Sequence, residues 1–258
     1  MAARLRHFLL TTMAFMGLAA GVSIAQAEPT LQPPLSWVLY TGKSRPHHHF
    51  YNYDPVVFHS DHHPSLRALA DRGKQLLARL PLSSITPQQL QTQPQLKSLL
   101  MAGQSEGDGV LQVQRQNPRW IAYVIEQRIP QILRRGFHGL YLPDITNLSP
   151  NTGDTNPNMV LLRTIRYHYP QLLLMAQASE LHLETLASQV KMVVWSITEA
   201  QLTDPQHHAY LKQLIRRTPM LHHLALIKGA ASSAQLEPLR QLGLHPYVSN
   251  TVLEAATP

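Results

Sequence analysis

Histidine is the one reactive side chain in which this sequence is enriched, with 15 among 258 residues. His47, His48 and His49 form a run, and His59, His62 and His63 surround Asp61. Imidazoles beside a carboxylate can pass protons or hold Zn²⁺ or another borderline metal. His47, His49, His59, Asp61 and His62 are therefore the candidate ligands, and zinc is the one cofactor to weigh against an expectation of none. The competing reading is a pair of polar, pH-sensitive loops. Successive histidines point in opposite directions, and no H-E-x-x-H spacing occurs. "DHH" at 61–63 has the form of a phosphoesterase motif without its supporting acids.

A second candidate is "GFHGLYLPDITN" at 136–147. The apolar run Gly139 to Leu142 is set between His138 and Pro143-Asp144. A buried strand that ends in a polar tip is how a barrel presents a catalytic carboxylate. Asp144 and His138 are the candidate catalytic pair here. The alternatives are a loop-capping role for Asp144 and a backbone-bonded His138, whose place before the strand leaves its direction open. Ser83, Ser84 and Ser196 lack a G-x-S-x-G elbow, which argues against a serine hydrolase.

These groups need elements to carry them. "WVLY" at 37–40, "PVVFH" at 55–59, "QLLARL" at 75–80 and the run at 138–142 read as strands. So do "QLLLMAQ" at 171–177, "VKMVVWSI" at 190–197, "HLALIKG" at 223–229 and "PYVSN" at 246–250. Helical spacing is found at 65–75, where Gly73 serves as a C-cap, and at 118–134, where Asn117-Pro118 opens the helix. It recurs at 158–170, 180–189, 207–218 and 234–243. Residues 81–112 are Gln-, Ser- and Gly-rich and read as a long excursion with a short helix. Continuous apolar strands alternating with amphipathic helices mean a parallel sheet covered on its outer side. Eight such strands predict a single-domain α/β protein, a (β/α)₈ barrel over 36–255, in preference to an open doubly wound sheet. No Gly-rich phosphate loop follows an early strand, and no internal repeat is visible.

Arg4 and Arg6, the apolar run Phe8 to Ile24 and Ala25-Gln26-Ala27 have the three parts of a secretory signal peptide over 1–27. A Pro-rich lead over 28–35 follows, carrying Pro29, Pro33 and Pro34. Cleavage after Ala27 takes 27 of 258 residues and leaves 231, enough for one barrel domain. It also removes two arginines, so the formal charge of +7 becomes +5. The expected product is secreted or periplasmic, monomeric, and without a membrane segment once the signal is gone. There is no cysteine, hence no disulfide and no lipoprotein anchor. The basic residues are scattered, with Arg134-Arg135 and Arg216-Arg217 as the densest pairs, whereas a nucleic-acid binder concentrates them.

The blocks "NPRW" at 117–120 and "IPQILRRGFHGLYLPDITN" at 129–147, with "WVLYTG", "YDPVVFH" and "LGLHPYVSN" in order around them, carry a resemblance. Over roughly residues 36–253 the sequence resembles the endo-α-1,4-polygalactosaminidase family, glycoside hydrolase family 114. The resemblance implies a secreted barrel acting on galactosamine-containing polysaccharide. It also implies that acids are missing. Where the family shows "GFDGLYLDTLD", this chain has His138, Pro143 and Thr146 in place of the aspartates, with Asp144 beside the middle one. The third strand ends in Ser83-Ser84 where the family has Gly-Glu. Gln114 stands for an Asp before "NPRW", Trp195 or Ser196 for the sixth-strand acid, and Lys228-Gly229 for a seventh-strand Asp-Tyr.

Glycoside hydrolysis uses two carboxyl groups, so this pattern predicts a degenerate barrel that binds amino-sugar polysaccharide without cleaving it. Tyr40, Tyr53, Asp61, Ser84, Tyr141, Trp195, Lys228 and Tyr247 are the candidate binding residues, with barrel-core filling as the competing fate of Tyr40, Tyr141 and Trp195. Two alternatives stay open. One is an active hydrolase using Asp144 with His138 or with a metal-assisted Asp61. The other is a structural partner in an exopolysaccharide apparatus.

Overall fold

The computed structural model describes residues 36–42, 45–103, 109–146 and 156–249. The expected signal peptide and Pro-rich lead lie outside them. The strands, in chain order, are β1 (Val38–Tyr40), β2 (Val56–His59), β3 (Leu76–Arg79), β4 (Ser84–Ile85), β5 (Leu111–Gln112), β6 (Gly139–Leu142), β7 (Leu173–Gln177), β8 (Met192–Ile197), β9 (His222–Lys228) and β10 (His245–Ser249). The helices are α1 (Arg67–Ala70), α2 (Pro87–Thr92), α3 (Pro118–Ala122), α4 (Ile129–Arg134), α5 (Pro157–His168), α6 (Leu183–Gln189), α7 (Glu199–Leu202), α8 (Pro205–Arg217) and α9 (Ser233–Gln241).

Eight strands form one parallel sheet in the order β1-β2-β3-β6-β7-β8-β9-β10. Each of the eight falls on an apolar run read as a strand, and the sheet curls into the expected barrel. Its last seam, between β10 and β1, is joined through side chains. Trp37 Nε1 donates to the His245 carbonyl at 2.8 Å, and Tyr247 Oη donates to the Leu39 carbonyl at 3.3 Å.

Alternation along the strands sorts the buried residues into two shells. Trp37, Leu39, Val57, Leu77, Tyr141, Met175, Met192, Val194, Leu224 and Leu226 pack together inside the barrel. Val38, Val56, Phe58, Leu76, Leu140, Leu174 and Val193 belong to the larger shell between sheet and helices. At Gly139 a Cβ would come within 2.2 Å of the Leu173 carbonyl oxygen, so the β6–β7 approach requires glycine.

The helix expected at 118–134 is one continuous element with a π-helical turn over Tyr123–Arg128 between α3 and α4. Pro130, which has no N–H to give and whose ring crowds the carbonyl four residues back, accounts for the departure from α geometry. The helix expected at 65–75 is shorter, only α1, because Gly73 at φ +71° ends it and the chain then enters β3. The excursion at 81–112 carries α2, a 3₁₀ segment Pro94–Leu99 and an antiparallel ribbon of β4 and β5, with Ser84 opposite Gln112 and Ile85 opposite Leu111. Leu82, Ile85, Leu90, Leu96, Leu99 and Leu111 tether it to the outer core. It therefore covers the barrel end at which β3 finishes.

Candidate functional site

Continuing the inward alternation to the C-terminal ends of the strands gives a collar around the barrel mouth. It consists of His59, Arg79, Tyr141, Gln177, Ser196, Lys228 and Ser249. His59 is in register with Arg79, Arg79 with Tyr141, and Lys228 with Ser249. Tyr141 Oη donates to Gln177 Oε1 at 3.0 Å, and Gln177 Nε2 donates to Ser196 Oγ at 3.2 Å. Burial, with a smaller push from Asp144, raises the Tyr141 phenol above its ordinary range despite Arg79 nearby. Tyr141 is thus a neutral donor. His59 is pulled down to about 4, chiefly by burial, with His62, Arg79 and Arg128 adding to the effect against the attraction of Asp61. Its Nδ1 accepts from the Asp61 amide at 3.1 Å. Among the described residues, no carboxylate belongs to this collar.

The two acids singled out from the sequence are both occupied. Asp144 is buried, and its carboxylate accepts from the Leu82 amide at 2.9 and 3.0 Å, from the Ser83 amide at 2.7 Å and from the Ser83 hydroxyl. It clamps the exit of β6 to the chain leaving β3. Its own carbonyl accepts from Asn158 Nδ2 at 2.8 Å. Asp61 is bound bidentately by Arg128, at 3.0 and 2.6 Å, and by Arg135 at 2.6 Å. Burial opposes its ionisation, but the two guanidiniums outweigh that cost and hold the carboxyl well below the usual carboxylate range. The π-helical turn ends at Arg128, whose side chain is 4% exposed.

His138 does not join Asp144. It lies before β6, at the opposite end of the barrel, and its Nδ1 accepts from the Leu76 amide at 3.2 Å. Tyr53 is also at that end. Its neighbour Asp54 donates its amide to the Ser36 carbonyl and accepts from the Gln75 amide, just before β1 and β3. Tyr40 and Trp195 face the helices. Tyr40 packs on Phe50 and Phe58, and Trp195 Nε1 donates to His223 Nδ1 at 3.1 Å. Tyr247 fills the lumen beside Trp37, with ring centroids 5.4 Å apart. Of the candidate binding residues, Tyr141 and Lys228 are in the collar, while Ser84 and Asp61 line the clefts next to it.

Those clefts are two. One, of about 360 Å³, is bounded by His59, Arg79, Ser83, Ser84, Gln112 and Pro143. The other, of about 730 Å³, is bounded by Thr41, His59, Asp61, Gln88, Gln89, Gln93 and Gln131 among others. His59, Thr86 and Gln89 line both, so they adjoin. Amides and hydroxyls dominate the larger one. Sequence reasoning passed over Arg79, Gln177, Gln89 and Gln131. For Arg79 and Gln177 the signal was there, since Gln177 closes a predicted strand and Arg79 stands one residue before the end of another, each two residues beyond an inward apolar residue.

The histidines do not assemble with Asp61 as a metal site. His59 and His62 stack, centroids 5.0 Å apart, but His62 Nε2 meets Gln88 Oε1 at 3.3 Å and Asp61 is taken up by its arginines. His48 and His49 stack on each other at 4.5 Å. No group of three or more potential ligands is placed to hold a metal among the described residues.

Neither a family model nor a curated protein matches the sequence. Solved structures do match. The glycoside hydrolase domain of PelA from Pseudomonas aeruginosa aligns with a TM-score of 0.69 at 18% identity, over 87% of this chain and 98% of that one. Aspergillus fumigatus Ega3, in complex with galactosamine, aligns with a TM-score of 0.58 at 8% identity, over 86% and 94%. The GH36 α-galactosidase AgaA of Geobacillus stearothermophilus aligns at 0.51 and 11% identity, over 86% of this chain and 39% of that one. The fold is that of the glycoside-hydrolase barrels. That agrees with the resemblance read from the sequence, and at these identities the likeness is one of fold.

Proposed function

We propose that this chain is an exported barrel that holds extracytoplasmic polysaccharide at its mouth and does not hydrolyse it. The observation that carries the reading is the collar. Hydrolysis of a glycosidic bond needs one carboxyl group to protonate the leaving oxygen and another to act as base or nucleophile. The collar offers an imidazole, a guanidinium, an ammonium, a phenol, an amide and two hydroxyls. Among the described residues, the acids beside the collar, Asp61 and Asp144, hold the structure together and cannot swing to a substrate without breaking it. What remains suits hydroxyl recognition. Gln and Thr side chains line the larger cleft, where each can both donate and accept.

Galactosamine-containing polymer is the first ligand to try, on the sequence resemblance and on the galactosamine complex of Ega3. The test incubates purified protein starting at residue 28 with partly deacetylated galactosamine polymer, following binding and new reducing ends together. Saturable binding with no rise in reducing ends is expected. Product release that disappears in Asp144→Asn would instead establish the hydrolase alternative.

A further inference from the structure

Arg79 differs from the other arginines around this end of the barrel. Arg128 and Arg135 are both bonded to Asp61. The Arg79 guanidinium, half-buried on the wall of the smaller cleft, makes no hydrogen bond or ion pair with any described residue. A guanidinium stays charged at every physiological pH, and partial burial without an opposite charge is unfavourable. Asp144 lines the same cleft, but its oxygens are directed to Leu82 and Ser83. Lys228 is a second cation with no partner among the described residues, and it is exposed at the end of β9. In the ring order, β3 and β9 stand four strands apart out of eight, so Arg79 and Lys228 face each other across the mouth.

We infer that the barrel mouth is a subsite for acidic saccharide, in which Arg79 receives the carboxylate of a uronic-acid residue and Lys228 meets negative charge on the far side. The inference rests on the carbohydrate-binding reading and gives its ligand a charge. A planar guanidinium fits a carboxylate through two parallel N–H···O bonds, strengthened by an acceptor charge that the hydroxyls of a neutral sugar lack. Gln177, Ser196 and Tyr141, beside Arg79 around the collar, are left for ring hydroxyls. The same charges favour an acidic sugar over an amino sugar at this subsite, since an ammonium near Arg79 is repelled.

The experiment measures, by titration calorimetry, binding of the purified protein to oligogalacturonate, to its full methyl ester and to galactosamine oligomer of equal length. The acid form is expected to bind at least about ten-fold more tightly than the other two, since a charge-assisted pair accounts for a difference of that order. Arg79→Met should bring acid and ester together, and Arg79→Lys should restore only part of the gap. Lys228→Ala should weaken the acid form several-fold and flatten its salt dependence. Lys191→Gln, exposed just before β8 at the far end of the barrel, controls for overall charge and should change nothing. Equal affinity for acid and ester, or an acid preference that survives Arg79→Met, overturns the inference and leaves the carbohydrate reading standing. Silence toward all three oligomers overturns both. The comparison of acid with ester on the unaltered protein decides the matter even if an Arg79 variant fails to fold.

Discussion

At the residue scale, a carboxylate is informative only together with what it touches. Asp144 had the position of a catalytic acid at the tip of a buried strand, and its type and place were legible in the sequence. Its partners were not, because Leu82 and Ser83 are more than 60 positions away and reach it only when β3 and β6 pair. The same holds for Asp61 and Arg128, which are 67 positions apart. Because Asp144 accepts from two backbone amides and a hydroxyl, Asp144→Asn turns an acceptor into a group that also presents donors to donors. The expected loss is about 2 kcal/mol of stability, the range for a buried group left mismatched, seen as a lower midpoint in urea unfolding. Glycan binding is expected to persist in the part that stays folded. An Asn variant as stable as the parent would mean that the clamp contributes nothing.

At the element scale, the barrel strands were the most legible part of the chain. A parallel strand buried on both faces is a continuous apolar run, and "LYL" or "MVVW" stands out against its flanks. The helices were less so. The π-helical turn comes from a single Pro130 inside an otherwise regular pattern, and the β4–β5 ribbon consists of two residues on each side joined across a 25-residue gap. Strands that short have no periodicity to read. Gly139 shows the opposite case, an element constraint visible only in three dimensions. Gly139→Ala should cost about 3 kcal/mol or more, since the new methyl would meet backbone at the β6–β7 contact and not a yielding side chain. Thermal unfolding measures it, and a neutral substitution would show that the two strands separate freely.

At the scale of the whole molecule, imidazoles held neutral tie stability to pH. His59 is lowered to about 4, and burial lowers His223 and His245 as well. The unfolded chain takes up protons at these histidines near the ordinary value of about 6.5, whereas the folded chain resists. Their contribution is therefore fully present above pH 6.5 and is lost as the pH falls, for His59 through about 4. Allowing for partial exposure, His59 accounts for about 1–2 kcal/mol. The melting temperature should decline between pH 7 and 4, before ordinary carboxylates titrate, and His59→Asn should shallow the decline. A melting temperature constant down to pH 4.5 would contradict the neutral state assigned to these rings.

The account as a whole stands on a mouth that grips a sugar chain and leaves its bonds intact. Light scattering of a long polysaccharide during extended incubation with stoichiometric protein reads both properties at once. The account predicts that polymer-bound mass rises as protein attaches, while the length of the recovered chains stays constant. A steady fall in chain length, abolished by Asp144→Asn, would contradict it.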